Sequence, residues 1–267
     1  MSKLKSLIII IIVLIFISCG NKNAKTGEVK TEPQWQSLFN GKDLEGWVPK
    51  FYHHELGDNY ANTFRVKNGV IQVNYDDYTE FNDRYGHLFF NKSFSSYHLK
   101  FEYRFTDQWM KDAPSYTYRN SGVMFHSQDP KTILKEQNWP ISVEYQTLAE
   151  EKEGVSRPTG NMCSPGTEVF VNDEMDPRHC VNSTSKTYQW NEWVKGELIV
   201  YGDSLVIHKV NGKEVLKYTK PQIGGGTAEG FDPAIKIDGK RLTEGYIGLQ
   251  AEGQGVEFRE IKIKEFL

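Results

Sequence analysis

The chain has 267 residues, 38% hydrophobic and 13% aromatic, with 32 basic and 35 acidic side chains for a net charge of −3. That length is ample for one sizeable core. The mildly acidic balance, with no basic stripe, argues against a nucleic-acid partner.

Lys3 and Lys5 flank an apolar run from Leu7 to Ile17 that ends at Ser18-Cys19-Gly20. A basic start, a short apolar stretch and a small residue before the break predict a secretory signal over residues 1–18. The run is too short to span a bilayer comfortably. Cys19, directly after Phe16-Ile17-Ser18, looks like the lipidated cysteine of a bacterial lipobox. Residues 19–33 carry Asn, Lys, Thr, Gly and Glu with almost nothing apolar, the composition of a flexible tether. Removing the signal deletes Lys3 and Lys5 and takes the charge from 32 − 35 = −3 to 30 − 35 = −5. The expectation is a protein of the bacterial cell envelope, facing the periplasm or the exterior, with membrane contact through its lipid anchor only. Cys163 and Cys180 remain, and an oxidising compartment predicts a disulfide between them. The alternative, a metal pair with His179, lacks a second Cys-His cluster of zinc spacing.

From residue 34 to 267, period-2 alternation dominates. Leu99, Phe101, Tyr103 and Phe105 share one strand face, opposite His98, Lys100, Glu102 and Arg104. Asn120, Met124 and His126 lie on one side of the next strand, with Val123 and Phe125 on the other. Ile141, Val143 and Tyr145 oppose Ser142, Glu144 and Gln146. Gly202-Asp203 and Asn211-Gly212 mark two hairpin turns. In the last strand Val256 and Phe258 have one parity and Ile261 and Ile263 the other, which a β-bulge near Arg259-Glu260 would reconcile. Two stretches, Thr106 to Tyr118 and Ala149 to Lys186, have weak strand character, and connections of such length tend to be functional. These elements predict an all-β antiparallel sandwich, a jelly roll.

The opening Trp35-Gln-Ser-Leu-Phe-Asn-Gly-Lys-Asp-Leu-Glu-Gly-Trp47 and the closing Gly245-Tyr-Ile-Gly-Leu-Gln250 and Val256-Glu-Phe-Arg-Glu-Ile-Lys-Ile-Lys264 mark both ends of this domain. Between them stand Asn120-Ser-Gly122 leading into a strand and a Glu144-x-Gln146 strand. These signatures resemble the 3-keto-disaccharide hydrolase family of bacterial proteins. The resemblance implies a concanavalin A-like β-sandwich whose first and last strands pair, and a carbohydrate substrate already oxidised at C3. It departs from the family pattern in two places: an arginine is frequent near His126, and a histidine is frequent where Glu252 stands.

If the two middle strands are neighbours, Asn120, His126, Glu144 and Gln146 converge on one polar patch. The Glu-x-Asp-x-x-Glu strand of laminarinase-type glycosidases is absent, so no local pair serves the two-carboxylate mechanism. A ketone at C3 acidifies the C2 hydrogen, and elimination then needs one base and a stabiliser for the enolate. Glu144 or His126 is the candidate base, and Asn120, Gln146 and Gln250 are candidate substrate contacts. Trp109, Tyr118 and Trp139 offer aromatic faces for a sugar ring. Each has a plainer alternative: Glu144 as a solvated strand residue, His126 as a structural histidine, Gln250 as a loop anchor, the aromatics as core plugs. No cofactor is expected, though a divalent metal polarising the ketone stays open. A noncatalytic carbohydrate-binding surface protein is the rival function.

Overall fold

A computed structural model describes residues 32–266, so the expected signal, Cys19 and most of the tether lie outside the described residues. In chain order the strands are β1 (Gln36–Ser37), β2 (Trp47–Phe51), β3 (Phe64–Lys67), β4 (Val70–Val73), β5 (Gly86–Phe94) and β6 (Ser96–Trp109). There follow β7 (Asn120–Ser127), β8 (Val143–Leu148), β9 (Asn161–Cys163), β10 (Thr167–Val171), β11 (Glu174–Met175) and β12 (Cys180–Val181). The chain closes with β13 (Val194–Tyr201), β14 (Leu205–Val210), β15 (Lys213–Ile223), β16 (Gly245–Ala251) and β17 (Gln254–Glu265). Helical structure among the described residues is limited to three single turns.

These strands form two antiparallel sheets. One runs β11-β10-β15-β14-β13-β6-β17-β4-β3 with β1 on β17, the other β12-β9-β8-β7-β16-β5-β2. The all-β sandwich is therefore as the alternation implied. First and last strands do pair, Gln36 opposite Ile263. Between Arg259 and Lys262 the register of β17 against β6 shifts, with Glu260 at φ 52°. That bulge puts Val256, Phe258, Ile261 and Ile263 in one core, each at most 1% exposed. Asn211 (φ 47°) and Gly212 (φ 81°) supply the two positive φ values of the β14–β15 hairpin.

The inward residues Leu99, Phe101, Tyr103 and Phe105 of the first sheet meet Val123, Phe125, Val143, Tyr145, Ile247 and Leu249 of the second. His208 is fully buried among them: its Nδ1–H donates to the Gly160 carbonyl (3.0 Å) and its Nε2 accepts from the Tyr218 hydroxyl (2.8 Å). Burial lowers its pKa to about 4 and that of buried His87 to about 3. Both rings are neutral in the folded and unfolded chain above pH 6.5. As the pH falls from there toward 4, only the unfolded chain takes up the protons, so stability drops by roughly 1.4 kcal/mol per pH unit per histidine. The urea midpoint is expected to fall steeply between pH 6.5 and 4, and His208→Gln should flatten that limb.

Every residue of β7 is buried, which alternation does not predict for a sheet with one wet face. The outer face is covered by irregular connections. The stretch after β8 carries four short strands, β9 to β12; Tyr116, Trp139, Arg157 and Thr227 stand over the Asn120 end of β7, and Arg241 and Leu242 of the β15–β16 connection border its His126 end. Cys163 and Cys180, directly opposite each other in register, form the expected disulfide (Cα–Cα 4.1 Å).

Candidate active site

A cavity of about 610 Å3 lies on that covered face. Its floor is laid by three neighbouring strands. From β8 come Glu144 and Gln146, from β7 Asn120, and from β16 Gln250, with Glu252 just beyond the strand end. Gly122 stands at the centre. It pairs with Gln146 on one side, and because Leu249 pairs with Val123, Gln250 is beside it on the other.

The missing side chain at Gly122 is what admits Glu144. A Cβ there would lie 2.3 Å from Glu144 Oε1 and 2.7 Å from its Cγ, so the carboxyl group rests over the glycine. This is a close approach to backbone that only glycine allows. Gly122→Ala is expected to push the carboxyl out of place and cut activity at least tenfold with the fold retained, as read by turnover beside circular dichroism.

Glu144 is 6% exposed, and no protein hydrogen bond or cation engages its carboxyl group. Burial alone raises its pKa to about 8. Glu252 is also pushed well above the usual carboxylate range, first by burial and then by the proximity of Glu144. Two buried carboxyl groups in one cavity thus resist ionisation. Arg157 is the nearby cation. Its Nη1 donates to the carbonyls of Arg119 (3.2 Å) and Ala149 (3.0 Å), and its Nε is 3.7 Å from Glu151.

The amides are oriented by their neighbours. Asn161 Nδ2 donates to Gln146 Oε1 (3.0 Å), which leaves the Gln146 NH2 as the group without a protein partner. Asn120 Nδ2 donates to the Tyr116 carbonyl (3.1 Å), so its Oδ1 is the unpartnered end. At the rim Trp139 packs on Tyr85 (ring centroids 4.2 Å apart), and the Tyr85 and Tyr116 hydroxyls are 3.0 Å apart. The disulfide, Pro165 and His179 also line the cavity.

The model of the family described as 3-keto-alpha-glucoside-1,2-lyase-like domain matches residues 34–264. The chain belongs to that family. A curated 3-keto-disaccharide hydrolase of Bacteroides thetaiotaomicron is 25% identical over 246 residues, which cover 85% of this chain and 77% of the relative. Among solved structures, a glycosyl hydrolase candidate from Parabacteroides distasonis aligns with TM-score 0.52 and 18% identity, over 87% of this chain and 100% of that one. A protein with a galectin-like fold from Bacillus subtilis aligns with TM-score 0.51 and 10% identity, over 88% and 96% of the two chains. Both likenesses concern the fold.

Within this lyase-like domain, Asn120, Glu144 and Gln146 converge as expected, and the candidate contacts Gln250 and Trp139 line the same cavity. His126 does not. It has the same strand parity as Asn120, but six residues at about 3.3 Å each place it roughly 20 Å further along β7. There its Nε2–H donates to the Gly202 carbonyl (3.0 Å), and it borders a different cavity with Gln128, Asp129 and Arg241. The expected convergence of His126 with Glu144 is thereby corrected. Trp109 and Tyr118 also stay off the cavity wall. The Trp109 Nε1–H donates to Thr117 Oγ1 (3.0 Å), and its ring meets Tyr118 edge-on at 5.1 Å.

Glu252, Arg157 and Tyr116 are site residues that the sequence reading did not select. Glu252 shares strand parity with Gln250, a usable signal. Arg157 and Tyr116 sit in irregular connections, where no periodicity says which way a side chain faces.

Proposed function

We propose that the protein cleaves glycosides whose sugar bears a ketone at C3, with Glu144 as the base that removes the C2 proton. The observation that carries this reading is the buried, unpaired Glu144 carboxyl group over Gly122, in a family whose curated relative is named for 3-keto-disaccharides. A general base for a C–H acid works best with a pKa near the working pH, and burial brings Glu144 there. The C2–H electron pair becomes the C2–C3 enolate and its charge moves to the C3 oxygen. The enolate then collapses: the C3 carbonyl re-forms, the C2 electron pair becomes a C1–C2 double bond as the bond from C1 to the glycosidic oxygen breaks, and that oxygen takes a proton from water as it leaves. Addition of water to the resulting double bond completes a net hydrolysis; without that addition the reaction is a lyase elimination.

Three groups have free donors for the sugar: the Gln146 NH2, the Gln250 NH2 and the remaining guanidinium nitrogen of Arg157. Donors of this kind stabilise an enolate oxygen that forms beside them. Trp139 and Tyr116 supply aromatic faces at the rim for the sugar or its aglycone. Replacing Trp139 with Ala is expected to raise KM about tenfold and leave kcat within threefold, as initial-rate kinetics would read. A purely carbohydrate-binding role would need no carboxyl group of raised pKa. Saturable binding of a 3-keto glycoside without products would favour that role instead. Turnover by the parent protein, lost in Glu144→Gln, supports the enzyme.

A further inference from the structure

Beside Glu144, three acceptors on two neighbouring elements have nothing to accept from. Gln250, Glu252 and Asn120 are each more than nine-tenths buried, and Gln250 Oε1, Glu252 Oε1 and Asn120 Oδ1 lack a hydrogen-bond donor. All three side chains face the same cavity. Turning the Asn120 amide over does not cure this, because its Nδ2 is already bonded to the Tyr116 carbonyl. Nor does Arg157 answer them, since its bonded nitrogen serves the carbonyls of Arg119 and Ala149 and it makes no hydrogen bond to Glu252. Buried acceptors are normally satisfied, and a cluster of unsatisfied ones calls for a positive partner.

We propose that Glu252, Gln250 and Asn120 form a binding site for an oxygen-preferring divalent cation of the calcium, magnesium and manganese group. The set is all oxygen, one carboxylate and two amide carbonyls, with no nitrogen or sulfur donor among the three. That composition selects hard cations over zinc or copper. The Glu144 carboxyl group, in the same cavity, is a further oxygen donor at hand. With three protein ligands the ion has coordination positions left over toward the cavity. A carbohydrate offers adjacent hydroxyl or carbonyl oxygens that fill such positions. One carboxylate gives the site little charge, so binding in the range of about 10⁻⁴ to 10⁻³ M is expected. The proposal concerns ion binding and stands apart from the reaction assigned above.

The test is calorimetric titration of the full chain, stripped with EDTA and dialysed, with CaCl2, MgCl2 and MnCl2 in turn. The expected result is saturable binding of at least one ion to one site. Glu252→Gln should weaken it at least tenfold and Asn120→Ala at least threefold, while Glu151→Gln, on the same cavity wall, leaves it unchanged. Circular dichroism of each variant separates a lost site from a lost fold, and the two variants together keep the test valid if either one unfolds. No saturable heat up to 10 mM of any of the three ions would overturn the proposal, and would point to a protonated Glu252 donating to one of the amide oxygens. Binding that survives both Glu252→Gln and Asn120→Ala would overturn it as well.

Discussion

Glu144→Gln is expected to lower turnover of a 3-keto glycoside at least a thousandfold and, at the same time, to raise the melting temperature near pH 7.5. The first effect follows from loss of the base. Its size is that of a group on which the proton transfer depends. The second follows from linkage. A carboxyl group held at a pKa of about 8 in the folded protein stays protonated while its counterpart in the unfolded chain ionises from pH 4.5 upward. The folded state binds the extra proton between those values, so stability is lost as pH rises through that window. By pH 7.5 the penalty approaches roughly 4 kcal/mol. A glutamine has no charge to suppress, although it still brings a desolvated amide. The net gain is about 2 kcal/mol, or about 5 °C in a domain of this size. The advantage should vanish near pH 4.5, where the glutamate is protonated in both states. Thermal melts of parent and variant at pH 4.5 and 7.5 in EDTA read this directly. Equal melting temperatures at both pH values would mean that Glu144 is an ordinary solvated carboxylate.

Breaking the disulfide is the second large effect. Cys163 stands in register with Glu144 on one side and with Cys180 on the other, so the bridge fastens the connection that ends at Cys180 to the strand beside the one that bears the base. Cys163→Ser with Cys180→Ser is expected to cost about 3 kcal/mol through the freed loop of 17 residues. Activity should fall further than global unfolding explains. Pro165, His179 and Thr227, which line the cavity with the bridge, are positioned by the bridged connection and its contacts. The Gly166 N–H donates to the Gly226 carbonyl (2.7 Å), and Thr227 Oγ1 lies 3.3 Å from His179 Nδ1. Urea midpoints and initial rates, each with and without a reducing agent, separate the two contributions. An unchanged midpoint on reduction would show that the bridge adds no stability.

The strands were legible because one face of each is buried. Period-2 alternation locates β6, β7 and β8, and the parity break in β17 marks its bulge. Parity also put Asn120, Glu144 and Gln146 on the polar side of their strands, and the structure brings them together with Gln250. It failed for His126 because alternation reports which side a residue faces and carries no information on position along the strand. It failed for Arg157 and Tyr116 because their backbones follow no period. The burial of the whole of β7 was hidden for a related reason. The cover comes from connections distant in sequence, and nothing in Asn120-Ser-Gly-Val-Met-Phe-His126 itself announces it. Gly122 is the instructive position. As a residue in a strand it reads as a weakness, and only the carboxyl group resting on it shows what the absent side chain is for.

The most direct measurement uses a disaccharide, its 3-keto form and that form deuterated at C2, each incubated with the parent protein. The account predicts turnover of the keto sugar alone and a primary isotope effect of at least twofold on the deuterated substrate. Cleavage of the unoxidised disaccharide at the same rate, or of the deuterated substrate with no isotope effect, would contradict C2 proton removal as the event this cavity is built for.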